Sequence, residues 1–342
     1  MADEGETGRM LTVENLSIGF RTDEGRIDPV QGVSFSVDRG RTLGLVGESG
    51  SGKSISTKAL MQLLPGTAIL GEETRMRYRA KDGREVAVET LGRTGEEIRR
   101  LRGGEIGMIF QEPMASFSPV YTIGNQMMEA IRLHRGMRRR EAREFAIEML
   151  DKVGISNPRG RVDQYAHEMS GGMRQRAMIA LTLSAGPQLL IADEPTTALD
   201  VTIQAQVLEL MRGLQDDLGM GMIFITHDLG VIAQIADEVA VMYLGTIVER
   251  GPTREVIRNP QHPYTIGLLE AIPSLDTLTA RLSPVPGDIP SPHARPRGCP
   301  FHPRCSKAIA GVCDTRAPVE TRAEEGRAVR CWLYDEAGRS AA

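Results

Sequence analysis

A glycine-rich run of eight residues lies between an apolar strand pattern and a helix pattern. The apolar segment 42–46 leads directly into the run, and residues from 53 onward have the pattern of a helix. The run consists of Gly47, Glu48, Ser49, Gly50, Ser51, Gly52, Lys53 and Ser54. The glycines let backbone N–H groups converge on phosphate oxygens, and the helix start adds the positive end of its dipole. A phosphate-binding loop (P-loop) within an α/β fold is therefore predicted.

Strand and helix patterns alternate along much of the chain. Strands are predicted at residues 11–20, 33–37, 42–46, 106–110, 189–192 and 221–226, and helices at 123–133, 140–153 and 203–218. Strands joined by crossover helices form a parallel sheet that is covered on both faces. Residues 72–104 are charged and weakly patterned, so they are interpreted as a surface excursion.

Two carboxylates follow the apolar segment 189–192. Asp193 is placed where the strand is predicted to end, and a carboxylate there can bind Mg²⁺ directly or through water. Glu194 comes next and can orient or deprotonate an attacking water molecule. Lys53 is expected to reach the β- and γ-phosphates of a nucleotide, and Ser54 to supply a hydroxyl to Mg²⁺. This set predicts hydrolysis of a nucleoside triphosphate without a covalent intermediate.

A second candidate anion site begins at Ser170. Ser170, Gly171 and Gly172 open a predicted helix with the serine as its N-cap, and Gln175 follows on the same helix. The first N–H groups of a helix are free to bind an anion. One nucleotide does not need two such helix ends from a single domain.

The order of these motifs resembles that of the ATP-binding cassette (ABC) ATPases, over residues 11 to about 272. The resemblance implies a P-loop NTPase core with a mainly parallel sheet, an antiparallel β subdomain and an α-helical subdomain. It also implies that the helix opened by Ser170, the family's signature, presses on the γ-phosphate of ATP held by the P-loop of a second ATPase subunit. Whether that subunit is identical or a sibling is left open.

Four further residues take their roles from this resemblance. Gln111 matches the Q-loop and is expected to sense Mg²⁺ and the attacking water, and His227 matches the H-loop and is expected to contact the γ-phosphate. Taken singly, each could instead be a plain strand cap. Phe20 is placed as the aromatic A-loop residue that stacks on adenine, with a position in the core as the alternative. Asp200, in the D-loop at residues 198–200, is expected at the seam between subunits.

Composition limits the other roles that such a chain could have. Hydrophobic residues make up 41% and charged residues 25%, as in ordinary soluble proteins, and a net charge of −4 does not indicate nucleic-acid binding. No apolar run approaches the roughly 20 residues that a bilayer span needs. The acidic N-terminus lacks the regions of a signal peptide. We expect a peripheral protein at the cytoplasmic face of the inner (plasma) membrane, with any membrane role supplied by partner subunits.

All the cysteines fall near the C-terminus, at Cys299, Cys305, Cys313 and Cys331. A reducing cytoplasm argues against disulfides and favours a metal site, although the spacing is not the usual one of a zinc ribbon. Four thiolates could hold an iron–sulfur cluster or zinc, or remain free or redox-active. The segment 299–305 resembles the C-terminal extension of dipeptide-importer ATPases, which carries a 4Fe–4S cluster in some members. A 4Fe–4S cluster on these cysteines is the interpretation that follows.

The domain boundaries follow from these patterns. Residues 1–112 and 187–272 are predicted to form the ATP-binding core, and residues 113–186 the helical subdomain with the signature. Proline and glycine become frequent from residue 276, which indicates a linker. Residues 273–342 are therefore assigned to a Pro-rich linker and a small extension that contains the cysteines.

Within the ABC family, several segments look like the oligopeptide/dipeptide importer branch. These are the P-loop and residues 111–119, 192–201 and 259–264. Residues 117–119 (Phe, Ser, Pro) depart from the Leu-Asn-Pro that is more common in peptide importers, so importers of oligosaccharide or nickel in the same branch remain alternatives.

The resemblance implies an ATP-hydrolysing subunit of a bacterial peptide importer. Its partners would be a second ATPase subunit, two permease subunits docked on the helical segment, and an extracytoplasmic solute-binding protein. The alternative from another class is a soluble ABC ATPase that acts on nucleic acid or ribosomes. Such proteins usually have coiled-coil insertions or tandem cassettes, and the sequence has neither. A purely electron-transferring iron–sulfur protein would leave the ATPase motifs unexplained.

Overall fold

The computed structural model describes residues 8–23, 25–112, 116–197, 199–272, 285–322 and 326–335. By their internal contacts these residues fall into two compact units. We call residues 8–11, 37–41 and 77–225 the helical unit, and residues 12–36, 42–76 and 226–335 the P-loop unit, apart from the gaps given above.

The regular elements of the described residues are numbered in chain order. The strands are β1 Arg9–Thr22, β2 Gly25–Asp38, β3 Thr42–Val46, β4 Ala68–Leu70, β5 Arg75–Arg79, β6 Glu85–Ala87, β7 Ile106–Ile109, β8 Leu189–Asp193, β9 Gly221–Thr226, β10 Glu238–Tyr243, β11 Thr246–Pro252, β12 Thr321–Arg322 and β13 Ala328–Val329. The α-helices are α1 Lys53–Ala59, α2 Glu96–Leu101, α3 Ile123–Arg135, α4 Arg139–Lys152, α5 Pro158–Arg161, α6 Gly171–Ser184, α7 Val201–Leu218, α8 Leu229–Ile235, α9 Thr253–Arg258 and α10 Pro263–Glu270.

Parallel strands form the centre of the helical unit. β8 pairs with β7 on one side and with β9 on the other, both in parallel register. Every residue of these strands is buried, which explains why they are short apolar runs without a polar face. Their order confirms the predicted strand–helix alternation, because α7 connects β8 to β9 as a crossover.

Helices α3, α4 and α6 pack on one another in the helical unit. On α4, the 3.6-residue spacing of apolar residues in the sequence predicts a buried stripe that includes Met149 and Leu150, and both are buried. The basic run at residues 138–140 is typical of a solvated face, and these residues are exposed. On α7, the apolar spacing in the sequence predicts a stripe through residues 203, 207, 210, 214 and 218, and the buried face is turned from that stripe. Leu218 is exposed and Met211 is buried, since a strict three-to-four residue count does not locate the edge of a helix's packed face.

Residues 77–104 of the helical unit contradict the surface-excursion interpretation. β5 and β6 form an antiparallel pair with Tyr78 opposite Val86, and Tyr78 and Ile98 are fully buried. The apolar positions are few because each element is short, so charged residues dominate the composition while alternate side chains still enter a core.

The P-loop unit contains a parallel strand pair extended by antiparallel strands. β10 runs parallel to β3 and antiparallel to β11, with a bulge between Val241 and Met242. β11 in turn pairs with β13, and β13 with β12, so strands from the C-terminal segment extend the same sheet. Elsewhere in this unit, β4 pairs antiparallel with the end of β1.

A buried charged pair fixes the C-terminal segment to β11. Glu249 is fully buried and accepts backbone N–H bonds from Gln261 and His262, each at 2.9 Å. Arg327 donates to the same carboxylate at 3.1 Å and to the Asn259 carbonyl at 2.6 Å. Because the buried charges are stabilised only when these partners are in place, the network favours one docked position of the C-terminal segment.

The described residues include no helix that is both long enough and apolar enough to cross a membrane. The predicted subdomain boundaries at residues 112, 186 and 272 remain predictions. Pro113 and the linker residues 276–284 lie outside the described residues.

Candidate functional site

The P-loop connects β3 to α1 in a conformation that only glycine permits at two points. A Cβ atom on Gly47 would lie 2.1 Å from the Met242 carbonyl oxygen of β10. Gly52 has a φ of +98°, and a Cβ there would lie 2.7 Å from the carbonyl oxygen of Pro29. The missing side chains therefore let the loop backbone pack directly on neighbouring backbone, and α1 begins immediately afterwards, at Lys53.

Lys53 holds the P-loop together through its ammonium group. The Nζ atom donates to the carbonyl oxygens of Gly47 and Glu48 at 2.6 and 2.9 Å and to the Ser51 hydroxyl at 3.2 Å. The residue is only 4% exposed. A buried ammonium with three donors suits a phosphate oxygen, which offers a full negative charge in place of a carbonyl dipole.

Two other predicted residues also belong to the P-loop unit. His227 is exposed directly after β9, while the adjacent Asp228 caps α8 by accepting the Gly230 N–H at 2.7 Å. Phe20 is half-buried near the end of β1, opposite Ala68 of β4. Their predicted roles toward the γ-phosphate and adenine remain predictions.

Glu194 in the helical unit is aimed by two donors. Gln111 Nε2 donates to its Oε2 at 3.0 Å, and the Thr197 hydroxyl donates to the same oxygen at 2.9 Å. Its φ is +48°, a left-handed conformation that a non-glycine residue rarely adopts and that is concentrated at functional sites. The preceding Asp193 is 3% exposed at the end of β8. Sequence reasoning named Gln111 and Glu194 separately, and the structure brings them together.

The signature helix α6 begins as predicted. The Ser170 hydroxyl accepts the Met173 N–H at 3.4 Å, and both Ser170 and Gly171 are exposed. A Cβ atom added to Gly171 would meet nothing within 4 Å. The open end of α6 can therefore receive an anion from outside the unit.

Gln175 and Asp200 have different surroundings from the open end of α6. Gln175 is 3% exposed and its amide donates to the Pro195 carbonyl, so it ties α6 to the turn that follows Glu194. Asp200 is exposed and caps α7 through the Ile203 N–H at 3.0 Å. Ala198 of the predicted D-loop lies outside the described residues.

The four cysteines are reduced, with Cys299, Cys313 and Cys331 buried and Cys305 half-buried. Burial, followed by repulsion from other cysteine thiolates, raises the pKa of Cys299 to about 11 and that of Cys331 to about 12. Among the described residues, no group of three or more His, Cys, Asp or Glu side chains is arranged to hold a metal ion. The predicted four-cysteine ligand set is therefore not formed as such.

Sequence reasoning missed the residues of α10 and its N-cap that support the P-loop. The Tyr264 hydroxyl accepts the backbone N–H of Glu48 at 2.8 Å. His262 is buried and accepts the Tyr264 N–H at 3.0 Å through Nδ1, as the cap of α10. The sequence signal for these residues is the segment 259–264, which indicates the resemblance to the importer branch but does not indicate a contact with the P-loop.

Two family models match the chain. The ABC transporter model matches residues 30–197, and the model of the oligopeptide/dipeptide transporter C-terminal region matches residues 248–313. Relatives in Brucella abortus strain 2308 and Brucella ovis are 49% identical over 333 residues, which is 96% of this chain and 98% of each relative. Both carry the provisional name peptide import ATP-binding protein.

Solved structures of transporter cassettes share the fold. A dimeric bacterial ABC transporter cassette is 24% identical and aligns with a TM-score of 0.61 over 72% of this chain and 99% of its own. CbiO1 of Clostridium perfringens, part of an ABC transporter complex, is 25% identical with a TM-score of 0.61 over 74% of this chain and 92% of its own. The predicted fold class of the core is confirmed, and the cysteine-containing extension remains a separate prediction.

Lowering the pH from 8 to 5 should reduce the free energy of unfolding by about 2 kcal/mol through His262. Burial lowers the pKa of this imidazole to about 3 in the folded chain, against an ordinary value of 6.5. The unfolded chain therefore takes up a proton that the folded chain excludes. The stability is complete above pH 6.5 and is lost as the pH falls toward 3.

Urea unfolding at both pH values measures this effect. His262→Asn keeps an oxygen that can accept the Tyr264 N–H but cannot titrate, so its pH dependence should be smaller by the same amount. The exposed His293 provides the control, since His293→Asn should retain the full dependence. Equal pH dependence in wild type and His262→Asn would contradict the assignment.

Proposed function

The chain belongs to the ABC transporter family and is an ATPase, and from that premise we propose that it is the ATP-hydrolysing subunit of a bacterial peptide importer. The observation that carries this proposal is the extent of the likeness. Relatives named for peptide import align over 96% of the chain, and the oligopeptide/dipeptide C-terminal model matches beyond the cassette, at residues 248–313.

In this proposal each of the named residues acts on the phosphates of ATP or on the attacking water. The P-loop amides and the Lys53 ammonium hold the phosphates, which puts the reacting phosphoryl group under a concentrated positive field. Glu194 takes a proton from the attacking water, with its carboxylate oriented by Gln111 and Thr197 at the distances given above. His227 contacts the γ-phosphate. The reaction is an in-line displacement by water, so positioning and charge supply most of the catalysis.

The residues present fit Mg²⁺ as the cofactor of this reaction. Magnesium usually binds one or two carboxylates together with substrate phosphates and water, so it does not require a cage of protein ligands. Asp193 and the Ser54 hydroxyl would hold it, with Gln111 beside it, and all of these supply the oxygen donors that Mg²⁺ prefers. When bound, the ion neutralises charge on the phosphates.

We propose that a second ATPase subunit completes the site. The exposed N-terminus of α6 at Ser170 supports this, because its free N–H groups suit the γ-phosphate of ATP bound to the P-loop of a partner. Asp200 would lie at the seam. The other proposed partners are two permease subunits and an extracytoplasmic solute-binding protein, with this chain on the cytoplasmic face of the membrane.

The C-terminal cysteines are proposed to bind a 4Fe–4S cluster. As they are placed, the thiols do not form a metal site, so binding would require them to draw closer together. One feature supports the proposal: three of the four thiols are buried. Burial raises the pKa of Cys299 and of Cys331, and a cation bound among the sulfur atoms would favour their thiolate forms.

Glu194→Gln should lower the rate of ATP hydrolysis about 10²- to 10⁴-fold, because the amide cannot accept the proton from water, and should retain ATP binding. In cells that depend on this chain, the same variant should abolish uptake of a labelled oligopeptide. Parallel uptake of a labelled oligosaccharide and of nickel tests the alternatives of the same branch. Turnover equal to wild type would show that Glu194 is not the base, and normal peptide uptake without ATPase activity would refute the importer.

Ser170→Ala should reduce hydrolysis by the assembled subunits while leaving the ATP affinity of the isolated chain within about twofold. The serine caps α6 and is proposed to serve a partner's nucleotide, so its loss affects only the closed pair. Thr122→Ala is the matched control, because it removes the corresponding cap of α3, where Thr122 accepts the Asn125 N–H at 3.3 Å. Loss of ATP affinity in the isolated Ser170→Ala chain would contradict action on a partner's nucleotide.

Anaerobically purified protein should contain about four irons per chain and absorb near 400 nm. Substituting serine for Cys299 and Cys331 together should remove the colour and the iron. Colourless protein with one zinc per chain would replace the cluster with zinc, and protein without either metal would leave the thiols free.

A further inference from the structure

The segment between the first two cysteines reaches the P-loop directly. Arg304 Nη1 and Nη2 donate to the two carboxylate oxygens of Glu48, at 2.7 and 3.0 Å. The Arg304 side chain is 3% exposed and that of Glu48 is 25% exposed. A bidentate guanidinium–carboxylate pair with one partner buried is the strong and directional form of an ion pair.

Arg304 is itself held in place by the segment that precedes the cysteines. Its Nε donates to the Pro286 carbonyl at 2.9 Å and its Nη2 to the Val285 carbonyl at 3.1 Å. The guanidinium also lies 5.8 Å from the ring centre of Tyr243 and 6.0 Å from that of Phe301. These contacts orient the guanidinium group independently of Glu48.

Phe301 anchors the same segment in an aromatic cluster. Its ring centre lies 5.2 Å from Tyr243, 5.4 Å from Tyr264 and 5.7 Å from His262. Tyr264 is the residue whose hydroxyl accepts the Glu48 N–H. The segment therefore contacts Glu48 in two ways. Arg304 binds its carboxylate directly, and Phe301 packs on Tyr264, which binds its backbone N–H.

Hydrogen bonds connect the Glu48 backbone to the groups that are proposed to bind phosphate. Its carbonyl oxygen accepts a bond from Lys53 Nζ at 2.9 Å and from the Ser51 N–H at 3.2 Å. A displacement of the Glu48 backbone would therefore move both the ammonium and the loop amides.

We propose that Arg304 is a positioning residue for the phosphate site, so that ATP binding and the docking of residues 285–305 are energetically coupled. This inference rests on the proposed nucleotide role of the P-loop and adds a regulatory input from the cysteine-containing segment. Coupling of this kind is reciprocal: a change that undocks residues 285–305 weakens ATP binding, and bound ATP stabilises the docked position of these residues by the same factor.

A double-mutant cycle on the full chain tests the coupling, with the Kd for MgATP measured by calorimetry. Arg304→Gln and Glu48→Gln should each weaken binding about tenfold, and the double variant should be no weaker than either single one. The tenfold coupling corresponds to about 1.4 kcal/mol. Arg304→Lys keeps the charge but loses the bidentate geometry, so its Kd should lie between wild type and Arg304→Gln.

The pair Arg250–Glu320 is the matched control. It also joins a core strand to the C-terminal segment, at 2.8 Å and with both side chains partly exposed, but it contains no P-loop residue. Glu320→Gln should lower thermal stability slightly and leave the Kd for MgATP at the wild-type value. Glu320 lies outside residues 285–305, so an equal loss of affinity in Glu320→Gln would show that ATP binding has no specific dependence on Arg304 and the docking of residues 285–305, and would overturn the inference.

Hydrogen–deuterium exchange supplies a readout that a merely structural ion pair would not change. The non-hydrolysable analogue AMP-PNP should slow exchange of residues 285–305 in the wild type and not in Arg304→Gln, at a temperature where circular dichroism shows both to be folded. Wild-type Kd in both single variants, multiplicative losses in the double variant, or unchanged exchange in the wild type would each overturn the inference. A wild-type chain that fails to bind MgATP would instead refute the proposed function.

Discussion

A charged side chain is costly within a buried parallel strand unless a partner or ligand compensates its charge, and the arrangement of functional groups follows from that constraint. β3 and β8 are buried at every residue, so the first polar groups stand just beyond the last apolar ones, or at the very end of the strand. The P-loop follows β3, and Asp193 ends β8 with Glu194 behind it. Within one sheet, the carboxyl ends of parallel strands lie at the same edge, as those of β7 and β8 do in the helical unit, and ligands of α/β proteins bind at such edges. Within each unit, the neighbouring helices then supply the second requirement, free N–H groups, at the starts of α1 and α6.

The groups that could be predicted from the sequence are those whose function depends on residues close together in the chain. The P-loop, the Asp193 and Glu194 pair and the Ser170 cap each depend on neighbours within a few positions, and the structure places those described here on the expected elements. The contact of Gln111 with Glu194 was foreseen only as two separate roles, because nothing in the sequence reports that β7 pairs with β8. The prediction of a surface excursion was wrong for residues 77–104 for a related reason. Their buried positions, such as Tyr78, alternate over too few residues for the pattern to rise above the surrounding charge.

Long-range polar pairs escaped prediction altogether. Glu249 and Arg327 are 78 residues apart, and Glu48 and Arg304 are 256 apart. In each pair at least one side chain is buried, and a buried charge is expensive unless its partner is in place. Sequence composition gives no hint of which arginine among the many will be that partner. These pairs nevertheless determine where the C-terminal segment docks, so that part of the fold had to come from the structure.

The interactions of Lys53 indicate why the support beneath the P-loop matters for ATP. Its ammonium already donates to three acceptors of its own loop, at 2.6, 2.9 and 3.2 Å. The net free energy that Lys53 contributes to phosphate binding is therefore only the difference between its interaction with the phosphate and its interactions with these three acceptors. That difference depends on the loop keeping its shape while Lys53 turns toward the phosphate. Gly47 fixes one end of the loop against Met242, and the other constraint falls on Glu48, through Tyr264 and Arg304. A segment far along the chain is thus part of the preorganisation of the nucleotide site, through Arg304 and its contact with Glu48.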